Sequence, residues 1–141
     1  MTWIIFALLS ILFNAAIDIV FKILGTKIHP TISGLIVNLV AVLPVLVYYL
    51  IQKSSDTVMT TSKSGLIFAV LAGLLIGFLT ITMLKVFSLN APLSVAIPFI
   101  RITTVIISIF AAALLFHEPL SSRFYLGALL ALTGFYFIFS N

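Results

Sequence analysis

Residues 65–87 read GLIFAVLAGLLIGFLTITMLKVF, and their only charged side chain is Lys85. About 20 predominantly apolar residues cross the hydrocarbon core of a bilayer, so this run predicts a transmembrane helix. Comparable runs precede it at about 3–24 and 32–51, and others follow at about 93–116 and 123–139. The breaks between them are polar. Gly25, Lys27, His29 and Pro30 close the first run. Residues 52–64, rich in Ser and Thr with Asp56 between Lys53 and Lys63, form the longest loop. Asn90-Ala91-Pro92 predicts a tight turn, and His117-Glu118-Pro119 breaks the chain before Ser121 and Ser122, either of which can cap the last helix. Connections this short make consecutive helices antiparallel neighbours. The expected fold is all-α: a polytopic bundle of five transmembrane helices that uses residues 1–141 as one domain.

Composition excludes most alternatives. Of 141 residues 63% are hydrophobic and 7% charged, whereas soluble domains devote about a quarter of their residues to charge. A compact soluble helical domain still needs a wet face on each helix, and seven basic plus three acidic side chains cannot supply one. Residues 1–13 contain no Lys or Arg, and the apolar run continues past Asn14. The first segment therefore reads as a retained helix and not as a secretory signal. Cysteine is absent, and the two histidines, His29 and His117, lie far apart near helix ends. No nucleophile–base pair, metal-ligand set or cofactor motif is expected, so an enzyme is not. The net charge of +4 suits anionic lipid head groups and is too scattered for nucleic acid.

Five spans place the termini on opposite sides of the membrane. Lys22, Lys27 and Lys85 then lie on one side and Lys53, Lys63 and Arg123 on the other. Orientation follows the Lys/Arg bias between loops, and here that bias vanishes. Insertion in both orientations, with pairing to an inverted copy, is one reading. A weak bias, or a partner chain that fixes the orientation, is the other. Small residues recur at four-residue spacing, Ala69, Gly73 and Gly77 in the third span and Gly127 and Ala131 in the fifth, with Gly134 nearby. Such strips let helices approach closely, within a chain or between chains. Pro44 and Pro98 interrupt their spans and predict kinks.

The polar residues inside the spans are the candidates for function. Ser10, Asn14, Asp18 and Lys22 recur every fourth residue and form one stripe on the first helix. Asp18 and Lys22 can pair at that spacing, and Lys22 is near enough to the helix end to snorkel. Arg101 is the other outlier, because a charge inside a span is costly unless it is paired or faces a wet cavity. At 1.5 Å per residue, Asp18 lies about 9 Å from the end of its span and Arg101 about 12 Å from the start of its own, on the same side. A pair between them is expected, with Thr80, Thr82, Thr103 or Thr104 as neighbours. It would either line a cavity or order the bundle. With Lys22 and Arg101 both near its depth, Asp18 is expected to stay ionised. That favours an anionic group held by Arg101 over proton-coupled capture of a cation by Asp18.

From Pro98 onward the chain resembles the end of an EamA-type domain of the drug/metabolite transporter superfamily. The elements of that resemblance are Pro98 in the fourth helix, an apolar run ending at Glu118, a polar turn, and a last helix marked by Gly127 and Gly134. It implies five helices per domain and export of metabolites. Such proteins commonly carry two inverted domains, so one domain implies a dimer. Residues 11–22 also resemble the first helix of small multidrug resistance proteins, with Lys22 matching. The essential glutamate of that family falls at Asn14, which stands against proton-coupled efflux of cationic drugs unless Asp18 substitutes one turn later. The segment 117–123 is similar to a turn in flippase subunits that move aminoarabinose on an undecaprenyl phosphate carrier, where Arg101 would suit the lipid phosphate.

The expected function is transport of small metabolites or amphipathic solutes by alternating access. The working unit would be a homodimer, possibly antiparallel, or a heterodimer with a related subunit. The first, third and fourth spans would line the cavity, and Asn14, Asp18, Lys22 and Arg101 are its candidate substrate or coupling residues. A lipid-linked sugar flippase subunit and a non-transporting membrane scaffold are the alternatives.

Overall fold

The computed structural model describes residues 2–55, 61–117 and 122–139, and these form five α-helices. They are α1 (Thr2–Lys27), α2 (Pro30–Ser54), α3 (Lys63–Ser88), α4 (Leu93–Leu115) and α5 (Ser122–Phe139). The first four are each long and apolar enough to cross a membrane. The 18 residues of α5 extend about 27 Å at 1.5 Å per residue. The chain is therefore a multi-pass membrane protein with an all-α fold.

The polar breaks act as helix stops and starts. Between α1 and α2, Pro30 occupies the first turn of α2, where its missing N–H costs nothing. His29 caps that helix, its Nδ1 accepting from the Thr31 amide at 3.4 Å. Ser62 caps α3, its Oγ accepting from the Gly65 amide at 3.0 Å. Asn90 takes a left-handed backbone, φ 63°, and its amide donates to Phe87 O at 3.0 Å. The turn expected at Asn90-Ala91-Pro92 is formed. His117 likewise ends α4 in the left-handed region, φ 53°. Glu118, Pro119 and Ser121 lie outside the described residues. α2 and α4 run on through Pro44 and Pro98.

The helices divide into two compact units, residues 1–90 and 91–141. In the first, α1 and α2 both pack on α3. Its buried residues are Asp18, Phe21, Ser33, Gly34, Thr80, Met83, Leu84 and Phe87. All belong to the last turns of α1 and α3 and the first turns of α2, so they mark one end of the unit. Toward the other end the three helices are exposed: residues 63–76 of α3 and 39–51 of α2 present no buried side chain. This unit is sealed at the end of the α1–α2 connection and open at the other.

Glycine placement explains the seal. Built onto Gly25, a Cβ would lie 2.8 Å from the carbonyl carbon and the Cβ of Phe87, so α1 crosses α3 with no room for a side chain. Gly34 plays a milder part in α2, with Ile81 at 3.4 Å and Leu84 at 3.6 Å from its notional Cβ. The strips expected to carry close approach, within a chain or between chains, are open within this one. Nothing lies within 4 Å of a Cβ added at Gly73, Gly77, Gly127 or Gly134. Close approach inside this chain uses Gly25 and Gly34, and the α3 strip stays uncovered.

Candidate functional site

Of the four polar residues singled out, two belong to the sealed end of the first unit. Asp18 is 5% exposed and sits on the buried face of α1 with Phe21. Lys22, one turn on, places its Nζ 5.9 Å from the centroid of the Phe87 ring, within cation–π range. Phe87 is fully buried, so the ammonium rests on the residue that Gly25 admits. The neighbouring hydroxyls are satisfied locally. Thr80 Oγ1 donates to Ile76 O at 2.9 Å, and Ser33 Oγ reaches His29 O and Pro30 O at 3.2 and 3.1 Å. Among the described residues no buried side-chain nitrogen or oxygen lacks a hydrogen-bond partner. Leaving such a group unmet costs about 1–3 kcal/mol. The sealed end is thus a packed, mainly apolar cluster that encloses three satisfied polar side chains, Asp18, Ser33 and Thr80.

Asn14 lies beyond it. It is exposed, on the part of α1 that no other helix buries, and its Nδ2 donates to Ser10 O at 2.8 Å. Ser10 in turn donates to Phe6 O at 2.9 Å. The periodic stripe is real as a helix face, yet its two halves meet different surroundings. Asp18 and Lys22 enter the packed end, while Ser10 and Asn14 line the open part. Thr82 and Thr104, expected beside the charges, are exposed and turn their hydroxyls back to their own helices.

Arg101 belongs to the second unit, in which α4 packs on α5. It borders a groove of about 520 Å³ between these two helices. On the α4 side the groove is lined by Arg101, Ile102, Val105, Ile106 and Ile109, and on the α5 side by Gly127, Ala128 and Ala131. The numbering is physically consistent, because both sets follow the i, i+1, i+4 rhythm of one helix face. The volume falls within the roughly 300–1,000 Å³ of small-molecule sites. Among the described residues every lining side chain but one is apolar, and the exception is a guanidinium. Three residues before Arg101, Pro98 cannot donate to the Ser94 carbonyl, so α4 lacks one ladder bond just ahead of the groove.

Gly127 and Ala131, read as a strip for close approach within a chain or between chains, form the floor of a groove within this one. Sequence reasoning missed Ala128 and the isoleucine wall of α4. The available signal was that small residues on α5 share the rhythm of an α4 face that contains the only charge of its span.

The described residues contain no cluster of His, Asp or Glu that could hold a metal ion. No curated protein and no solved structure matches the chain. A family model does match, over residues 1–140, essentially the whole length. The family is one of membrane transporters, which agrees with the long apolar spans. The chain belongs to the EamA-like transporter family.

Proposed function

We propose that this chain moves small metabolites or amphipathic solutes across the membrane by alternating access, as a dimer, with the α4–α5 groove as its solute site. The observation that carries the reading is Arg101 at a groove whose other described lining residues are apolar. A charge within a span is retained where it meets a counter-group or a wet cavity, and a solute entering this groove would meet a guanidinium at its border. Two features support a mobile assembly. The three-helix unit is sealed at one end only, which gives one side a fixed closure and leaves the other free to open or close. The uncovered Gly73 and Gly77 surface on α3 offers close approach to a second copy. The balanced Lys/Arg distribution suits an inverted pair.

One alternative draws on the same observation. A lipid-linked sugar flippase would set the carrier phosphate on Arg101 and its chain along the isoleucines. Counterflow in proteoliposomes, with labelled anionic, neutral and cationic solutes and a polyprenyl-phosphate sugar, separates the two. Flux of water-soluble or amphipathic solutes above empty vesicles supports the metabolite reading. Movement of the polyprenyl lipid alone favours the flippase, and no flux in any class sinks both. Crosslinking through single cysteines at residue 73 reports the pairing, on a background with no native cysteine.

A further inference from the structure

We propose that Pro44 is a hinge on which the far half of α2, residues 45–54, swings toward and away from α3, closing and opening the unsealed end of the three-helix unit. A proline inside a helix cannot donate to the carbonyl four residues back, so the α2 ladder lacks the bond from residue 44 to Val40. Sharp kinks, above about 20°, concentrate at such prolines. Pro98 leaves the same gap in α4, and the surroundings separate the two. Pro98 is half-buried, with Val95, Ala96 and Ile97 half-buried before it and Ile100 and Ile102 after it. Packing therefore braces α4 across its gap. Pro44 is exposed, and so is every residue of α2 from Leu39 to Ile51. No buried side chain braces α2 on either side of its gap.

The near half of α2 is fixed. Ser33 and Gly34 are buried, and Gly34 packs against Ile81 and Leu84 of α3. One turn on, Asn38 is half-buried and its Nδ2 donates to Gly34 O at 2.7 Å. Burial along α2 then stops until Gln52. The facing stretch of α3, residues 63–76, is exposed as well, so the far half of α2 has open space to move through. Residues 45–54 form a lever of about 15 Å at 1.5 Å per residue. A pivot of about 20° carries its tip through about 5 Å. The seal at Gly25 and Gly34 does not take part, so the motion changes access at one end of the unit only. The hinge goes beyond the assignment of the α4–α5 groove as the solute site and does not depend on it.

The test is pulsed electron double resonance on the spin-labelled full-length chain in lipid discs, diluted with unlabelled chain so that only pairs within one chain are read. The absence of native cysteine leaves the labels unambiguous. Leu50→Cys with Ile67→Cys spans the open end, and Ile36→Cys with Thr82→Cys spans the seal; all four positions are exposed. With Pro44 in place, the open-end distances should spread over about 5 Å more than the seal distances. Pro44→Ala restores the donor with the residue of highest helix propensity. It should melt no lower than wild type and narrow the open-end distances to the width across the seal. Pro44→Leu restores the same donor and should narrow them alike, whereas Pro98→Ala should leave them broad. The hinge is overturned if the open-end pair is as narrow as the seal pair with Pro44 in place. It is overturned equally if both folded Pro44 variants stay broad, or if Pro98→Ala narrows the pair as much as they do. No solute enters the measurement, so absence of flux in vesicles would sink the transport reading and leave the hinge standing.

Discussion

Gly25 and Phe87 meet so closely that a single added carbon on Gly25 would come within 2.8 Å of the Phe87 backbone. The contact joins the end of α1 to the end of α3 and sets the geometry of the sealed end. Everything buried in the three-helix unit lies within a few turns of it.

Replacing Gly25 by alanine therefore forces α1 away from α3. Overpacking of this kind costs about 1–3 kcal/mol, and it exceeds the roughly 1 kcal/mol that alanine gains over glycine in helix propensity. Gly25→Ala should lower thermal stability, whereas Gly73→Ala, with open space at its Cβ, should leave the fold unchanged. Melting curves in lipid discs compare the two. Equal stability of both variants would show that α1 and α3 do not touch at Gly25.

Lys22 and Phe87 should couple energetically. Phe87→Leu keeps a large apolar side chain and removes the ring beneath the ammonium. In a double-mutant cycle with Lys22→Met, the coupling should be about 0.5–2 kcal/mol. A cycle that closes to zero would mean that the ammonium draws nothing from the ring.

Asp18 is predicted to act on stability and not on selectivity. It is buried in the sealed end, so Asp18→Leu should destabilise the chain by about 1–3 kcal/mol while the order of preferred solutes stays as in wild type. A changed order at unchanged stability would move Asp18 into the solute path.

Orientation should respond to single charges, because the basic residues divide evenly between the two sides. Thr26→Lys adds a positive charge at an exposed position in the last turn of α1, beside Lys27. Ser54→Lys adds one at the end of α2, beside Lys53. The two variants should shift the population in opposite senses, read by impermeant labelling of single cysteines in intact cells. Wild-type protein labelled from one side only, unmoved by either lysine, would contradict dual insertion.

The five helices were legible because each apolar run is long and each break is polar. Their ends ran past the expected limits, α1 to Lys27 and α3 from Lys63 to Ser88. Charged and hydroxyl side chains continue a helix at the membrane surface, where caps such as Ser62 and His29 meet the loose amides. Contacts were less legible. The helices are apolar on nearly every face, so no amphipathic pattern says which side meets a neighbour. Gly25 looked like a helix end and proved to be a crossing point, while Gly73 and Gly127, read as points of close approach within a chain or between chains, meet nothing within this one. For the candidate site, Asp18 and Arg101 were both conspicuous as charges inside spans. Only the tertiary arrangement separates a buried knot from a groove, because a side chain's cost in the membrane depends on what stands opposite it.

The central claim is that solute passes through the α4–α5 groove under the control of Arg101. The most direct measurement is counterflow in proteoliposomes with wild type, Arg101→Gln and Gly127→Leu, each shown by melting to be folded. Flux in wild type and at least a tenfold loss in both variants are expected. Undiminished flux in both folded variants would place the solute path elsewhere in the protein and contradict it.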